Sequence, residues 1–178
     1  MSSLLLLLFV VLPFLGLETL RSRTNEARLR RRGAIEPRDD VYPWMQIVYP
    51  GSFVLMALEG WWHGGARRPW MVVGLVIFLL GKMLKRAAME ALGELWSFRV
   101  LVVPGVALVK SGPYRWMRHP NYVALVGEFI GAACLLYAPV TGPICTAAFM
   151  VLMYKRILVE ERALGLRPVL DRGADESR

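Results

Sequence analysis

A chain of 178 residues, 56% of them hydrophobic, is too apolar for an ordinary soluble domain, in which the apolar share is roughly 45–50%. Its 22 Lys and Arg against 14 Asp and Glu give a net charge of +8, but the bases cluster at the ends of apolar runs rather than along one polar face. That pattern suits membrane topology and anionic lipid and argues against nucleic acid as a partner.

Leu4 to Leu17 is the first apolar run. No base precedes it and no small-residue cleavage pattern follows, so an uncleaved first span is expected rather than a secretory signal. From Arg21 to Tyr42 the chain turns polar and Arg-rich. Glu18 to Arg32 could lie as a helix on the membrane surface, although an orientation signal without a ligand explains the arginines as well.

Trp44 to Trp62 is long enough to span, with tryptophans at both ends, and Glu59 near its far end is expected to snorkel to water. His63 to Pro69 reads as a short turn. The third run, Trp70 to Gly81, continues without a breaker through KMLKRAAMEALGELW, so one helix should leave the membrane there, with Lys82, Lys85 and Arg86 marking the exit.

Phe98 to Val103 reads as a short extended segment. Ser111 to Tyr122, SGPYRWMRHPNY, packs charge, aromatics and two prolines into a dozen residues without periodicity, the character of a ligand loop. Pro120 should draw His119 out of helical dihedrals. A fourth run, Tyr122 to Tyr137, carries Glu128, and Gly127 with Gly131 should admit a close helix neighbour. The turn from Pro139 to Pro143 leaves only an antiparallel hairpin with the fifth run, Ile144 to Leu158, which leads into Glu160, Glu161 and Arg162. Cys134 and Cys145 fall inside apolar runs and read as small buried hydrophobes, with no disulfide implied.

The expectation is therefore an all-α fold: a polytopic membrane helix bundle of about five transmembrane helices, forming a single domain over 1–178 with its motifs in 92–165. Of the 22 bases, only Arg67 and Arg68 fall on the side opposite the other 20. The positive-inside rule then puts the first terminus outside and the Ser111–Tyr122 loop and the tail in the cytoplasm.

The hairpin brings the loop and the end of the fifth run to one membrane level. Arg156 and Glu160, four apart, share a helical face there. They could be an ordinary surface pair, and Arg115 could equally be a lipid anchor. His119 has neither a core stripe to fill nor a metal partner, and no zinc motif, Ser-His-Asp arrangement or phosphate-cradling Gly-rich loop is found. Chemistry at this face must rest on cations and carboxylates without metal.

GPYRWMRHPNY, then Glu128, then RILVEERAL over Arg156 to Leu164, resembles the isoprenylcysteine carboxyl methyltransferase family of integral membrane enzymes. The first half, with YPWMQIVYP, is similar to a bacterial branch acting on lipid-tailed phenols and pyrones. The resemblance implies S-adenosyl-L-methionine held at the cytoplasmic end without a Rossmann domain. It implies cofactor contacts at Tyr114, Arg118, His119, Pro120, Tyr122 and Glu161, with Glu160 or Glu161 meeting polar groups. It implies catalytic roles for Arg156 and Glu160, and substrate contacts at Glu128 and Arg156. Ala124 stands where the family's loop usually continues with glycine, which narrows the helix start.

The function so implied is O-methylation of a lipophilic acceptor in a bacterial plasma membrane. It is most like carboxyl methylation of a C-terminal isoprenylcysteine, with a lipid-tailed phenol or pyrone as the alternative. Two further readings remain open: an NADPH-dependent membrane reductase, whose Arg-His-x-x-Tyr loop is comparable, and a non-enzymatic adaptor that binds anionic lipid.

Overall fold

The computed structural model describes residues 3–65 and 68–166 of the chain. Arg67 and the tail bases Arg167, Arg172 and Arg178 lie outside the described residues, as does the side chain of Arg68, so part of the charge asymmetry has no structural counterpart here. Five long helices form the fold: α1 (Ser3–Arg31), α2 (Tyr42–Trp62), α3 (Arg68–Leu92), α4 (Pro120–Leu136) and α5 (Thr141–Ala163). Among the described residues the only β pairing is an isolated antiparallel bridge between Ile35 and Val102. The all-helical expectation holds. By length and composition α1 and α5 are apolar enough to cross a membrane, and α4 is a shorter apolar helix.

Prolines set several of the helix starts. Pro43 and Pro120 lie in the first turns of α2 and α4, where a missing N–H leaves no helical bond unmade. His119, held before Pro120 at φ −128° and ψ 61°, is outside the helical region as expected.

α1 corrects one reading. Glu18 to Arg32 forms no separate surface helix, because the chain runs unbroken from the apolar run into the arginines, with a single π turn at Leu7–Val11 just ahead of Pro13. One face of this polar half is buried at Ser22, Asn25 and Leu29. Asn25 donates to the carbonyls of Gly93 and Trp96, and Ser22 accepts from Phe98 N at 2.7 Å. The helix clasps the extended segment that follows α3.

The closest helix pair is α3 with α4. A Cβ on Gly131 would lie 2.4 Å from Phe78 N, and one on Gly74 would lie 2.2 Å from Leu135 N, so only glycine permits this backbone approach. The core beside it is aromatic: Phe129 stacks on Phe149 at 4.7 Å between centroids, with Phe53 and Tyr49 packed around them. Cys145 is buried and Cys134 half-buried, both as free thiols.

Three side chains depart from their expected roles. Lys82 and Lys85 do not mark an exit to water. Both are buried, Lys82 against Glu18 at 2.7 Å and Glu128 at 3.0 Å, and Lys85 against Glu18 at 2.6 Å. Two ammonium groups and two carboxylates balance, which is how four charges persist among apolar helices. Arg86, one residue on, is exposed as expected. Glu59 is no free snorkelling acid: it accepts from the backbone of Val140 and Thr141 and from the Thr141 hydroxyl, capping α5 from another helix. Gly142 and Pro143 belong to the first turn of α5, and the hairpin turn itself is shorter than the Pro139–Pro143 stretch, with Tyr137 at φ 58° turning the chain out of α4.

Candidate active site

The site grows from the hairpin. α4 opens with Tyr122 in its first turn, and α5 ends with Arg156, Glu160 and Glu161 in its last two turns. Antiparallel packing brings these together. Tyr122 Oη donates to Glu160 Oε2 at 2.7 Å and accepts from Arg156 Nε at 3.2 Å. His119 Nε2 lies 3.2 Å from Glu161 Oε1, and its Nδ1 lies 4.0 Å from Glu160 Oε2. A histidine thus stands between two carboxylates, and a phenol links the farther one, Glu160, to an arginine.

Arg156 is 6% exposed and held on every side. Nη1 donates to Asp40 Oδ1 at 2.9 Å and Oδ2 at 3.1 Å, Nη2 donates to the carbonyl of Phe98, and the guanidinium lies 5.8 Å from the ring centre of Tyr42. Charge-assisted bonds of this kind hold a guanidinium plane in one orientation. Asp40 comes from the linker between α1 and α2, and Phe98 from the extended segment after α3.

A cavity of about 1090 Å³ opens beside this cluster. Tyr114, Arg115, Arg118, His119, Tyr122, Arg156 and Glu160 form part of its wall; Leu15, Met45, Pro50 and Leu125 give it an apolar side. Tyr114 is a neutral phenol there, because burial, and then the carboxylate of Glu160, push its pKa well above the ordinary value. Arg115 and Arg118 are exposed, and the Arg115 guanidinium lies 5.8 Å from the ring centre of its exposed neighbour Trp116.

Of the residues expected to act, Tyr114, Arg118, His119, Tyr122, Arg156 and Glu160 share this cavity. Pro120 is buried as the first residue of α4, and Glu161 is buried behind His119. Glu128 stands apart from the others. Its side chain is 0% exposed, bonded by the Tyr49 hydroxyl and Lys82, and it does not line the cavity. A carboxylate so placed ties α4 to α2 and α3, with Oε1 3.5 Å from Lys85 Nζ.

Sequence reasoning missed Asp40, Tyr42, Asn121 and Trp96. The pair Asp39-Asp40 in an Arg-rich linker was the available signal for the first. Asn121 Oδ1 and Trp96 Nε1 are buried polar atoms of cavity-lining residues with no hydrogen-bond partner among the described residues. Unmatched polar atoms in a cavity wall are what a polar ligand leaves when it is absent. An acceptor oxygen at Asn121, a carboxylate at Glu160, and cations at Arg115 and Arg118 suit a cofactor that carries both an ammonium and a carboxylate. S-adenosylmethionine therefore fits the donor set. No group of three or more metal-ligating side chains occurs among the described residues.

Residues 72–165 match the model of the isoprenylcysteine carboxyl methyltransferase family. The chain is similar to the uncharacterized protein YpbQ of Bacillus subtilis (strain 168), 33% identical over 89% of this chain and 95% of that protein. It is similar to the protein-S-isoprenylcysteine O-methyltransferases of Tribolium castaneum, 29% identical over 68% of this chain and 45% of the relative, and of Saccharomyces cerevisiae, 30% identical over 64% and 48%. The match thus spans less than half the length of those two enzymes. No solved structure matches. The chain belongs to the isoprenylcysteine carboxyl methyltransferase family.

Proposed function

We propose that the protein is an S-adenosylmethionine-dependent O-methyltransferase of a lipophilic acceptor, set in the membrane as five spans with its site facing the cytoplasm. One observation carries the reading: the Arg156–Tyr122–Glu160 chain, with His119 beside it, borders a large cavity whose wall also includes the apolar side chains of Leu15, Met45, Pro50 and Leu125. A water-soluble cofactor and a lipid-tailed acceptor can meet only where such a cavity adjoins the bilayer surface.

The cofactor supplies a methyl group already activated on a sulfonium, so the protein has to position and desolvate rather than activate it. Asn121, Glu160 and Glu161 would hold its ammonium and hydroxyls, and Arg115 or Arg118 its carboxylate. Tyr122, fixed by Arg156, keeps its hydroxyl proton aimed at Glu160. Glu160 or His119 is the group placed to take a proton from an acceptor hydroxyl.

The relatives' names suggest a prenylated cysteine carboxyl as acceptor. A second reading, the hydroxyl of a lipid-tailed phenol or pyrone, is favoured by one observation: Asp40 already occupies Arg156.

Incubation of the purified chain with labelled cofactor and membrane lipid extract, and separately with a farnesylated cysteine, tests the activity. A labelled lipophilic product is expected. No product together with no saturable cofactor binding would refute the reading in favour of a lipid-binding adaptor. Stabilisation by NADPH in place of S-adenosylmethionine would point to a reductase.

A further inference from the structure

We propose that Asp40 is a specificity-determining residue: by neutralising Arg156 inside the cavity it selects an acceptor whose head group is uncharged. The inference rests on the methyltransferase reading above. It starts from a division of charge in the cavity wall. The cations withdrawn from water already face carboxylates. Arg156 engages both oxygens of Asp40, and Lys85 lies 2.6 Å from Glu18 and 3.5 Å from Glu128; Arg99, half-buried, is also paired, 2.6 Å from Glu36 and 3.4 Å from Glu26. By contrast Arg115 and Arg118, which have no carboxylate within ion-pair distance among the described residues, are exposed to solvent. Free positive charge is available where a water-soluble ligand arrives and is absent where the cavity is buried.

Asp40 is not a loose rim side chain that an incoming anion could brush aside. Its side chain is 5% exposed, Oδ1 also accepts from Tyr42 N at 3.2 Å, and Oδ2 accepts from Val100 N at 3.3 Å. Its neighbour Asp39 pairs with Arg162 at 2.5 Å, tying the same stretch of linker to α5 a second time. Arg156, for its part, donates from Nε and from both terminal nitrogens to protein oxygens. A carboxylate entering here would be desolvated beside a guanidinium whose charge is balanced, with Asp40 as a like charge nearby. An uncharged hydroxyl or amide meets neither penalty and can use the remaining donor capacity of Nη2.

The test compares two probes of equal chain length, a long-chain alkyl carboxylate and its uncharged primary amide. Their binding to the purified full chain is measured in neutral detergent at about pH 8, where the carboxylate is ionised, with S-adenosylhomocysteine binding followed in parallel. The unmodified protein should bind the amide at least as tightly as the carboxylate. Asp40→Asn should shift the affinity ratio about tenfold toward the carboxylate, the effect of one freed charge-assisted donor. Arg156→Gln, which leaves Asp40 as an unbalanced anion, should shift it the opposite way. If Asp40→Asn does not fold, the unmodified protein and Arg156→Gln decide. A tenfold preference of the unmodified protein for the carboxylate overturns the proposal. So does a ratio unchanged in variants that still bind S-adenosylhomocysteine, or failure of the unmodified protein to bind either probe. Failure of the unmodified protein to bind S-adenosylhomocysteine instead removes the methyltransferase reading, and the probe ratio still reports on Asp40.

Discussion

Tyr122 and Glu160 are bonded at 2.7 Å across the α4–α5 hairpin, with the tyrosine as donor because Arg156 Nε–H already points at its oxygen. The direction of that bond keeps Glu160 an acceptor. Tyr122→Phe keeps the ring in place and removes the link, leaving Glu160 and Arg156 each short of a partner. Loss of a hydrogen bond between a neutral and a charged group is worth about 1.5–3 kcal/mol, or roughly 10- to 100-fold. Methyl transfer by Tyr122→Phe should fall by up to that factor, and the melting temperature should drop by a few degrees. Equal activity would reduce the bond to packing.

Lys85 and Glu128 belong to the buried ion cluster. Replacing one member strands a charge, at a cost of about 3–5 kcal/mol. Glu128→Gln and Lys85→Met should each lower the melting temperature in detergent sharply. Replacing Glu18, Lys82, Lys85 and Glu128 together by apolar residues of similar volume should recover most of that loss. A Glu128→Gln protein that melts normally but has lost acceptor binding would restore the substrate role first expected of this residue.

Gly131 tests the α3–α4 contact. Gly131→Ala places a methyl group 2.4 Å from Phe78 N, where the obstacle is backbone, whereas at Gly127 the nearest atom is 3.5 Å away. The first substitution should cost about 1–3 kcal/mol through overpacking, and the second should be nearly neutral. Thermal melts of the two variants side by side measure the difference, and indistinguishable melts would mean the helices are not so close.

Glu36 carries a pH signature outside the bundle. Burial opposes its ionisation, but hydrogen bonds from Arg99 and Arg30 outweigh burial and hold its carboxyl below the ordinary value of 4.5. A carboxyl lowered in the folded state contributes stability that is fully present above its unfolded pKa and is lost as pH falls through the folded value. The melting advantage of the unmodified protein over Glu36→Gln should therefore be flat from neutral pH to about 5 and shrink on further acidification. An advantage that grows in acid contradicts the assignment.

Local chemistry made much of the bundle legible. Apolar runs bounded by prolines, glycines and tryptophans marked where each long helix begins to within a few residues, since runs of this length have few other ways to satisfy their backbone, but the first run stopped at Leu17 whereas α1 continues to Arg31. The short α4–α5 turn forced a hairpin, so Arg156 and Glu160 could be matched to the His119–Tyr122 loop before any coordinates. The close approach at Gly131 followed from its small side chain.

The sequence by itself therefore determined the helices, the hairpin and the half of the site that the hairpin carries. Tertiary structure alone decided which charges face one another. Lys82 and Lys85 looked like residues at a water boundary, yet they pair with Glu18 and Glu128, 64 and 46 residues from Lys82 along the chain. Asp40 meets Arg156 across 116 residues. An isolated charge looks the same in a sequence whether it ends in water or in a buried pair. The difference is set by which helices pack together, and that packing is fixed by shape along whole helix faces rather than by any short motif.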